Sequence, residues 1–285
     1  MKLKLAYSPC PNDTFAFHAM IYGLINTEGL DFSVELADVD QLNKGAANGL
    51  YDICKLSYHA FFYICDNYAM LRTGSALGYN NGPLFVAPQG SCLFKQDGTP
   101  DRELISKAKV AIPGVMTTGA LLLKIAYPEI TDKVPVIFSS IEREVMAGHF
   151  DAGVLIHEGR FTYRDKGLRL IEDLGTFWQT TSGVPIPLGG IAISRKFSPE
   201  DQNKVNRVLR RSIRFALDHP DISRKYIAEN AQDMNEDIQK KHIKLFVNEF
   251  SIDIGEEGEN AVNALYKRVM EIDSKICKRD NLFIL

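Results

Sequence analysis

Three ionisable residues and a glycine stand where the sequence predicts the end of a buried strand. Ala152–Ile156 is a short apolar run typical of a strand in a parallel sheet, and His157, Glu158, Gly159 and Arg160 follow it directly. In open α/β sheets, ligands bind just beyond the carboxyl ends of the strands. An imidazole with an ordinary pKa of about 6.5 exchanges protons at neutral pH. His157 is therefore the candidate general base, and the alternative is a hydrogen-bonded loop histidine without a chemical role.

The two charged neighbours of His157 each have two readings. Glu158 either orients the imidazole or faces solvent. Arg160 either pairs with a carboxylate of the substrate or with an Asp or Glu of the protein, and the commonness of such internal pairs favours the second reading.

Polar loops also follow other predicted strands. The first strand, Lys2–Tyr7, runs into Ser-Pro-Cys-Pro-Asn-Asp, a rigid loop in which Asn12 or Asp13 is expected to cap the following helix and to shape a cleft wall. A third strand ends in Lys55-Leu56-Ser57, where Lys55 either meets a substrate carboxylate or extends its ammonium into solvent. Thr117 is the expected N-cap of an apolar helix, whose free N–H groups suit an anion.

The order of elements predicts the fold class. Strands alternate with helices through the first two thirds of the chain, which indicates α/β architecture with a mainly parallel sheet. Apolar extended segments at 83–88 and 185–193 are the expected crossings between two lobes. We therefore expect a discontinuous first lobe, 1–86 and 190–285, and a second lobe, 87–189, joined by a two-crossing hinge with a cleft between them. The helices after Arg195 carry no chemical motif, and His219 and His242 are expected on their surface.

Composition excludes several classes of function. A net charge of −3 over 285 residues predicts neither a nucleic-acid nor a membrane surface, and no apolar run approaches the length of a spanning helix. The five cysteines form no CxxC pair, and the N-terminus shows no signal-peptide pattern, so a cytoplasmic protein with reduced thiols is expected. There is no Walker loop, no GxGxxG after a strand and no GxSxG. We expect no cofactor and no metal; the sequence leaves the oligomeric state open.

Four segments together resemble a known family. SPCPNDTFAFHA, DICKLS, PGVMTTGALLL and DAGVLIHEGRFTY are similar to the 1,4-dihydroxy-6-naphthoate synthases, lyases of the futalosine route to menaquinone. The resemblance covers the first two thirds of the chain, and SPCPND and IHEGRFTY are its specific motifs. It implies a periplasmic-binding-protein-like fold of type II that works as a cytoplasmic enzyme. The implied reaction converts cyclic dehypoxanthinyl futalosine, a small carboxylate, to 1,4-dihydroxy-6-naphthoate and dihydroxyacetone.

The resemblance also assigns residues. It implies that His157 is the proton acceptor and that the substrate contacts lie on two segments, Lys55-Leu56-Ser57 and Thr117-Thr118-Gly119. The residue after the two threonines varies among small residues in that family, so Gly119 is the weaker contact. The alternatives are chorismate dehydratase, a sister enzyme of the same fold, and a non-catalytic protein that binds a small anion. A ligand-sensing regulatory domain is a third class, but no DNA-binding helix pair precedes the fold.

Overall fold

Two β-sheets divide the chain into two units. The computed structural model describes residues 1–232 and 235–285. Unit 1 comprises Met1–Gly78 and Pro187–Leu285, and unit 2 comprises Tyr79–Ile186. The chain thus leaves unit 1 once and returns once. These boundaries fall at 78/79 and 186/187, against 86/87 and 189/190 in the sequence-based expectation.

The sheet of unit 1 is mixed. Its strands are β1 (Lys2–Tyr7), β2 (Asp31–Leu36), β3 (Ile53–Ser57), β4 (Tyr68–Met70), β5 (Ala76–Gly78) and β11 (Ile186–Ser194). The order is β2-β1-β3-β11-β4, with β5 also paired to β11. Strand β1 is parallel to both β2 and β3, whereas β11 is antiparallel to β3 and β4. The last strand in sequence therefore lies beside one of the first.

Helices cover this sheet and supply most of the core. They are α1 (Pro11–Ile21), α2 (Val39–Ala47), α3 (Tyr58–Phe61), α9 (Pro199–Asp218), α10 (Arg224–Asn230), α11 (Glu236–Phe246), α12 (Glu249–Ile252) and α13 (Gly255–Ile272), with a 3₁₀ turn at Pro220–Ser223. Helix α1 is buried along nearly its whole length, and its apolar residues share one core with β1 and α9. Burial of these side chains is the main stabilising contribution to the unit.

Unit 2 has its own five-stranded sheet. Its strands are β6 (Leu84–Pro88), β7 (Val110–Ile112), β8 (Lys133–Pro135), β9 (Ala152–Leu155) and β10 (Leu168–Asp173), in the order β10-β6-β9-β7-β8. Strand β7 is parallel to β8 and β9, and β6 is antiparallel to β9 and β10. The helices are α4 (Arg102–Ser106), α5 (Thr118–Ala126), α6 (Ile141–Met146), α7 (Gly159–Thr162) and α8 (Leu174–Ser182), with a 3₁₀ turn at Phe138–Ser140. Leu84, Val86, Ala111, Ile141, Val145 and Leu155 form part of its separate core.

Several local expectations need correction. Helix α1 begins at Pro11 with Cys10 as N-cap and no side-chain cap, so neither Asn12 nor Asp13 caps it. The segment 83–88 is not simply a connection between the two units, since most of it is strand β6 within unit 2. His219 is exposed as expected, but His242 is fully buried and its ring lies 4.6 Å from that of Phe246. The expectation that His242 lies on the surface is therefore wrong, because this residue is on the face of α11 that packs inward.

No helix among residues 1–232 and 235–285 combines the length and apolar character needed to cross a lipid bilayer.

Candidate active site

The loop after β1 and the strand β3 place four polar side chains together in unit 1. The Asp13 carboxylate accepts from Ser8 Oγ at 2.7 Å, from Asn12 Nδ2 at 2.9 Å and from Lys55 Nζ at 2.8 Å. Asp13 is 3% exposed, and the Lys55 side chain is 11% exposed. We call Ser8, Asn12, Asp13 and Lys55 the Asp13 cluster. Its lysine is held by an internal carboxylate, so of the two alternatives given for Lys55 the solvated ammonium is wrong.

The end of β3 is fixed by a residue that sequence reasoning missed. Asn43, on the buried face of α2, accepts from the backbone N–H of Ser57 at 3.0 Å and donates to Ser57 Oγ at 3.1 Å. Both bonds are buried. The Ser57 hydroxyl is thereby oriented, while the Leu56 side chain points into the core and leaves only its backbone for a ligand. Nothing in the sequence signals the role of Asn43, because its partner lies on a different element.

Strand β11 lies against the same segment through two glycines. Gly189 pairs with Ser57 and Gly190 with Leu56 in the antiparallel register. A Cβ at Gly189 would stand 2.5 Å from the Leu56 carbonyl oxygen, and one at Gly190 would stand 2.6 Å from the Met70 sulfur. Any side chain at Gly189 would therefore collide with the backbone that carries the predicted substrate contacts. The Gly-Gly pair is evident in the sequence, but its contact with Leu56 is not.

In unit 2, His157 stands two residues beyond the end of β9, in a left-handed conformation. Its φ is +56°, and it is one of three non-glycine residues with positive φ among the described residues. Such a conformation is uncommon outside glycine, although His, Asn and Asp adopt it more readily than other residues. The ring is half-buried and lies 4.8 Å from that of Phe138. The strand end is thus a sharp bend that turns the imidazole away from the sheet direction.

Glu158 is largely buried, with 9% exposure. One of its carboxylate oxygens lies within 4.8 Å of a His157 ring nitrogen. Of the two readings given from the sequence, a solvated surface carboxylate is therefore wrong. A carboxylate this close to the ring favours a positive charge on the imidazole.

Arg160 makes internal contacts. Its Nη2 donates to Asp173 Oδ2 at 2.6 Å, and its Nη1 donates to the Gly82 carbonyl. The other oxygen of Asp173 caps α8 by accepting from the N–H groups of Gly175 and Thr176. The sequence-based preference for an internal ion pair is confirmed. The arginine connects the segment after His157 to β10 and to the segment that precedes β6.

The second predicted contact segment packs against the strand that carries His157. Thr117 is the N-cap of α5, as predicted, because its Oγ1 accepts from the Ala120 N–H at 3.2 Å. A Cβ on Gly119 would meet the side chains of Val154, Ile156 and Pro83 at 3.4–3.5 Å. Thr117 and Thr118 are both buried. The start of α5 and the end of β9 therefore form one side-chain cluster in unit 2.

Asn81 belongs to the same region and was not predicted. It is 2% exposed, and neither atom of its side-chain amide has a hydrogen-bond partner among residues 1–232 and 235–285. The residue after it, Gly82, accepts from Arg160, and the ring of Pro83 borders Gly119. The composition of this segment, rich in Gly, Ser and Asn, gives no signal of burial.

The fold also assembles a thiol–carboxylate cluster that the cysteine spacing did not predict. Ligand atoms of Cys65, Asp66 and Cys277 lie within 4.8 Å of one another in unit 1. Arg279 pairs with Asp66 at 3.4 Å, and Arg195 donates to the Cys65 carbonyl. Burial raises the pKa of Cys65 to about 12. Two nearby guanidinium groups and protonated thiols make this a poor cation site.

Comparison with known proteins places these residues in a family context. The family described as "Menaquinone biosynthesis" matches residues 3–271. A 1,4-dihydroxy-6-naphtoate synthase of Thermus thermophilus is 38% identical over 264 residues, which are 93% of this chain and 92% of that protein.

Solved structures show the same fold. A crystal structure of a protein from Archaeoglobus fulgidus superposes with a TM-score of 0.86 at 32% identity, over 96% of this chain and 98% of that one. A Candida albicans protein described as having the generic periplasmic binding protein fold gives a TM-score of 0.65 at 16% identity, over 99% and 97%. The predicted α/β fold of the periplasmic-binding-protein type is thus confirmed.

Proposed function

The chain belongs to the menaquinone-biosynthesis family, and on that basis we propose that it is a 1,4-dihydroxy-6-naphthoate synthase. The reaction converts cyclic dehypoxanthinyl futalosine to 1,4-dihydroxy-6-naphthoate and releases dihydroxyacetone, which makes the enzyme a carbon–carbon lyase. The observation that carries the proposal is the 38% identity to the Thermus thermophilus synthase across 93% of the chain.

The general base in this proposal is His157. Release of a hydroxyketone with formation of an aromatic ring requires removal of a proton before the carbon–carbon bond breaks. Aromatisation supplies the driving force, so the step needs no external oxidant. A neutral imidazole at the end of β9 accepts the proton, and the nearby Glu158 carboxylate stabilises the imidazolium that forms. A positioned base of this kind contributes roughly 10²–10⁴-fold to the rate.

The remaining site residues hold the substrate. We assign this role to Lys55, the Leu56 backbone and Ser57 in unit 1, and to Thr117, Thr118 and Gly119 in unit 2. Ser57 is supported as a contact because Asn43 fixes its hydroxyl. Arg160 is left out of the set, because both of its engaged nitrogens donate to protein oxygens.

The test is direct turnover with purified protein. We expect incubation with cyclic dehypoxanthinyl futalosine to produce the absorbance of the naphthoate and one equivalent of dihydroxyacetone. Chorismate is incubated in parallel, because consumption of chorismate alone identifies the dehydratase of the same fold. Binding of the cyclic substrate with no product, at protein concentrations that give a full binding isotherm, identifies a non-catalytic binding protein. Either of the last two results overturns the proposal.

A further inference from the structure

The Asp13 cluster contains a buried carboxylate for which the proposed mechanism has no use. Asp13 is not the base, and it caps no helix. Nevertheless its two oxygens accept three side-chain donors: Ser8 from the loop after β1, Asn12 from the first turn of α1 and Lys55 from β3. A carboxylate with hydrogen bonds to both oxygens has a defined orientation. It therefore also fixes the position of a cation that it binds.

Lys55 is the group held in this way. An ammonium has three N–H donors. Asp13 is the one acceptor that the described part of the chain offers Lys55, which leaves two N–H bonds for another partner. Gly189 borders the lysine stem, since a Cβ there would come within 3.5 Å of Lys55 Cε. The side chain is therefore confined on one side by β11 and held at its head by Asp13.

The charge of the pair is also relevant. A buried ammonium without a counter-ion is costly, and it lowers that cost by losing its proton. The Asp13 carboxylate, at 2.8 Å, compensates the charge of Lys55. An Asp13→Asn variant keeps the shape of the side chain but removes this compensation.

We propose that Asp13 is a positioning residue of the reaction, which holds the Lys55 ammonium so that its two remaining N–H bonds donate to an oxygen of the substrate. This inference rests on the proposed function, because Lys55 is a substrate contact only there. Asp13 acts through Lys55 and does not touch the substrate itself.

The test is a double-mutant cycle measured as kcat/KM with cyclic dehypoxanthinyl futalosine. Asp13→Asn is expected to lower kcat/KM by about 10- to 100-fold, the range for loss of a hydrogen bond to a charged group. Lys55→Met is expected to cost at least as much. If Asp13 acts only through Lys55, kcat/KM of the double variant is within about 3-fold of that of Lys55→Met. The reason is that removing Asp13 has no further effect once the Lys55 ammonium is gone.

A merely structural role of Asp13 predicts a different result, since its effect would then multiply with that of Lys55→Met. That outcome overturns the inference. Asp52→Asn is the matched control: Asp52 is another carboxylate of unit 1 paired with a lysine, Lys196, and lies outside the cluster. We expect its kcat/KM to stay within about 2-fold of wild type.

Folding failure of Asp13→Asn does not end the test. Ser8→Ala removes only the hydroxyl that fixes Asp13 Oδ2 and keeps both charges. It is expected to lower kcat/KM about 3- to 10-fold in the wild-type background and not at all with Lys55→Met. If wild type turns over and this cycle is multiplicative, only the inference fails. If wild type shows no turnover, the proposed function is wrong, and the inference that rests on it is wrong as well.

Discussion

Arg160 Nη2 donates to Asp173 Oδ2 over 2.6 Å, and this contact ties the segment that follows His157 to the strand β10. The same guanidinium donates to the Gly82 carbonyl. Both side chains are mostly buried. Arg160 is therefore a structural neighbour of His157, the proposed base, and its guanidinium is engaged by oxygens of the protein.

Replacement of Arg160 is expected to reduce stability more than substrate affinity. Arg160→Met leaves Asp173 without its cation, so the free energy of unfolding should fall by about 1–3 kcal/mol, as measured by urea denaturation. Asp173→Asn is the matched partner, because Asn keeps the cap of α8 and loses only the ion pair. The double variant should cost less than the sum of the two. An unchanged stability with a tenfold higher KM would show that Arg160 contacts the substrate.

His157→Asn should separate folding from turnover. Asparagine tolerates the left-handed backbone at this position better than most residues, so the thermal midpoint should stay close to that of wild type. With no base, kcat should fall by roughly 10²–10⁴-fold while KM changes little. His149→Asn, an exposed histidine of the same unit, serves as control and should retain full activity. Wild-type kcat in His157→Asn excludes the base assignment.

Gly189→Ala tests whether β11 positions Lys55-Leu56-Ser57. The new Cβ meets the Leu56 carbonyl oxygen at 2.5 Å, and because that atom is backbone, the strands must move apart locally. We expect a loss of about 1–3 kcal/mol in the free energy of unfolding, typical of overpacking, together with a higher KM. Gly90→Ala has nothing within 4 Å of the added Cβ and should be neutral. Equal behaviour of the two variants would contradict the proposed contact.

His18 should make stability depend on pH. Burial lowers the pKa of His18 below its ordinary value of 6.5, and its ring lies between Tyr226, at 5.2 Å, and Ser223. As the pH falls below 6.5, the unfolded chain binds a proton at this histidine that the folded protein resists, so stability decreases until the lowered pKa is reached. The free energy of unfolding of wild type should therefore drop more between pH 7.5 and 5.5 than that of His18→Phe.

The exposed His219 provides the control for this comparison. His219→Phe should keep the pH dependence of wild type, because this exposed substitution leaves the burial and contacts of His18 intact. Identical slopes for wild type and His18→Phe would show that His18 is not the group responsible.

Local features of the site could be predicted because backbone stereochemistry and capping act over a few residues. Thr117 caps α5 as expected, and the apolar run before His157 forms β9. The motifs around these residues also indicate the family. In each case the information lies within one turn of helix or one strand, where propensity and hydrogen bonding are decided by near neighbours.

The partners of these residues were decided by tertiary structure. The Lys55–Asp13 pair, the two bonds between Asn43 and Ser57 and the approach of Gly189 to Leu56 all join elements distant in the chain. Such contacts depend on which strands pair and which helix face is buried. Both are determined by the burial of apolar side chains across the whole core. The sequence by itself therefore determined the candidate base and the segments beside it, whereas packing determined which charges are compensated and which hydroxyls are held.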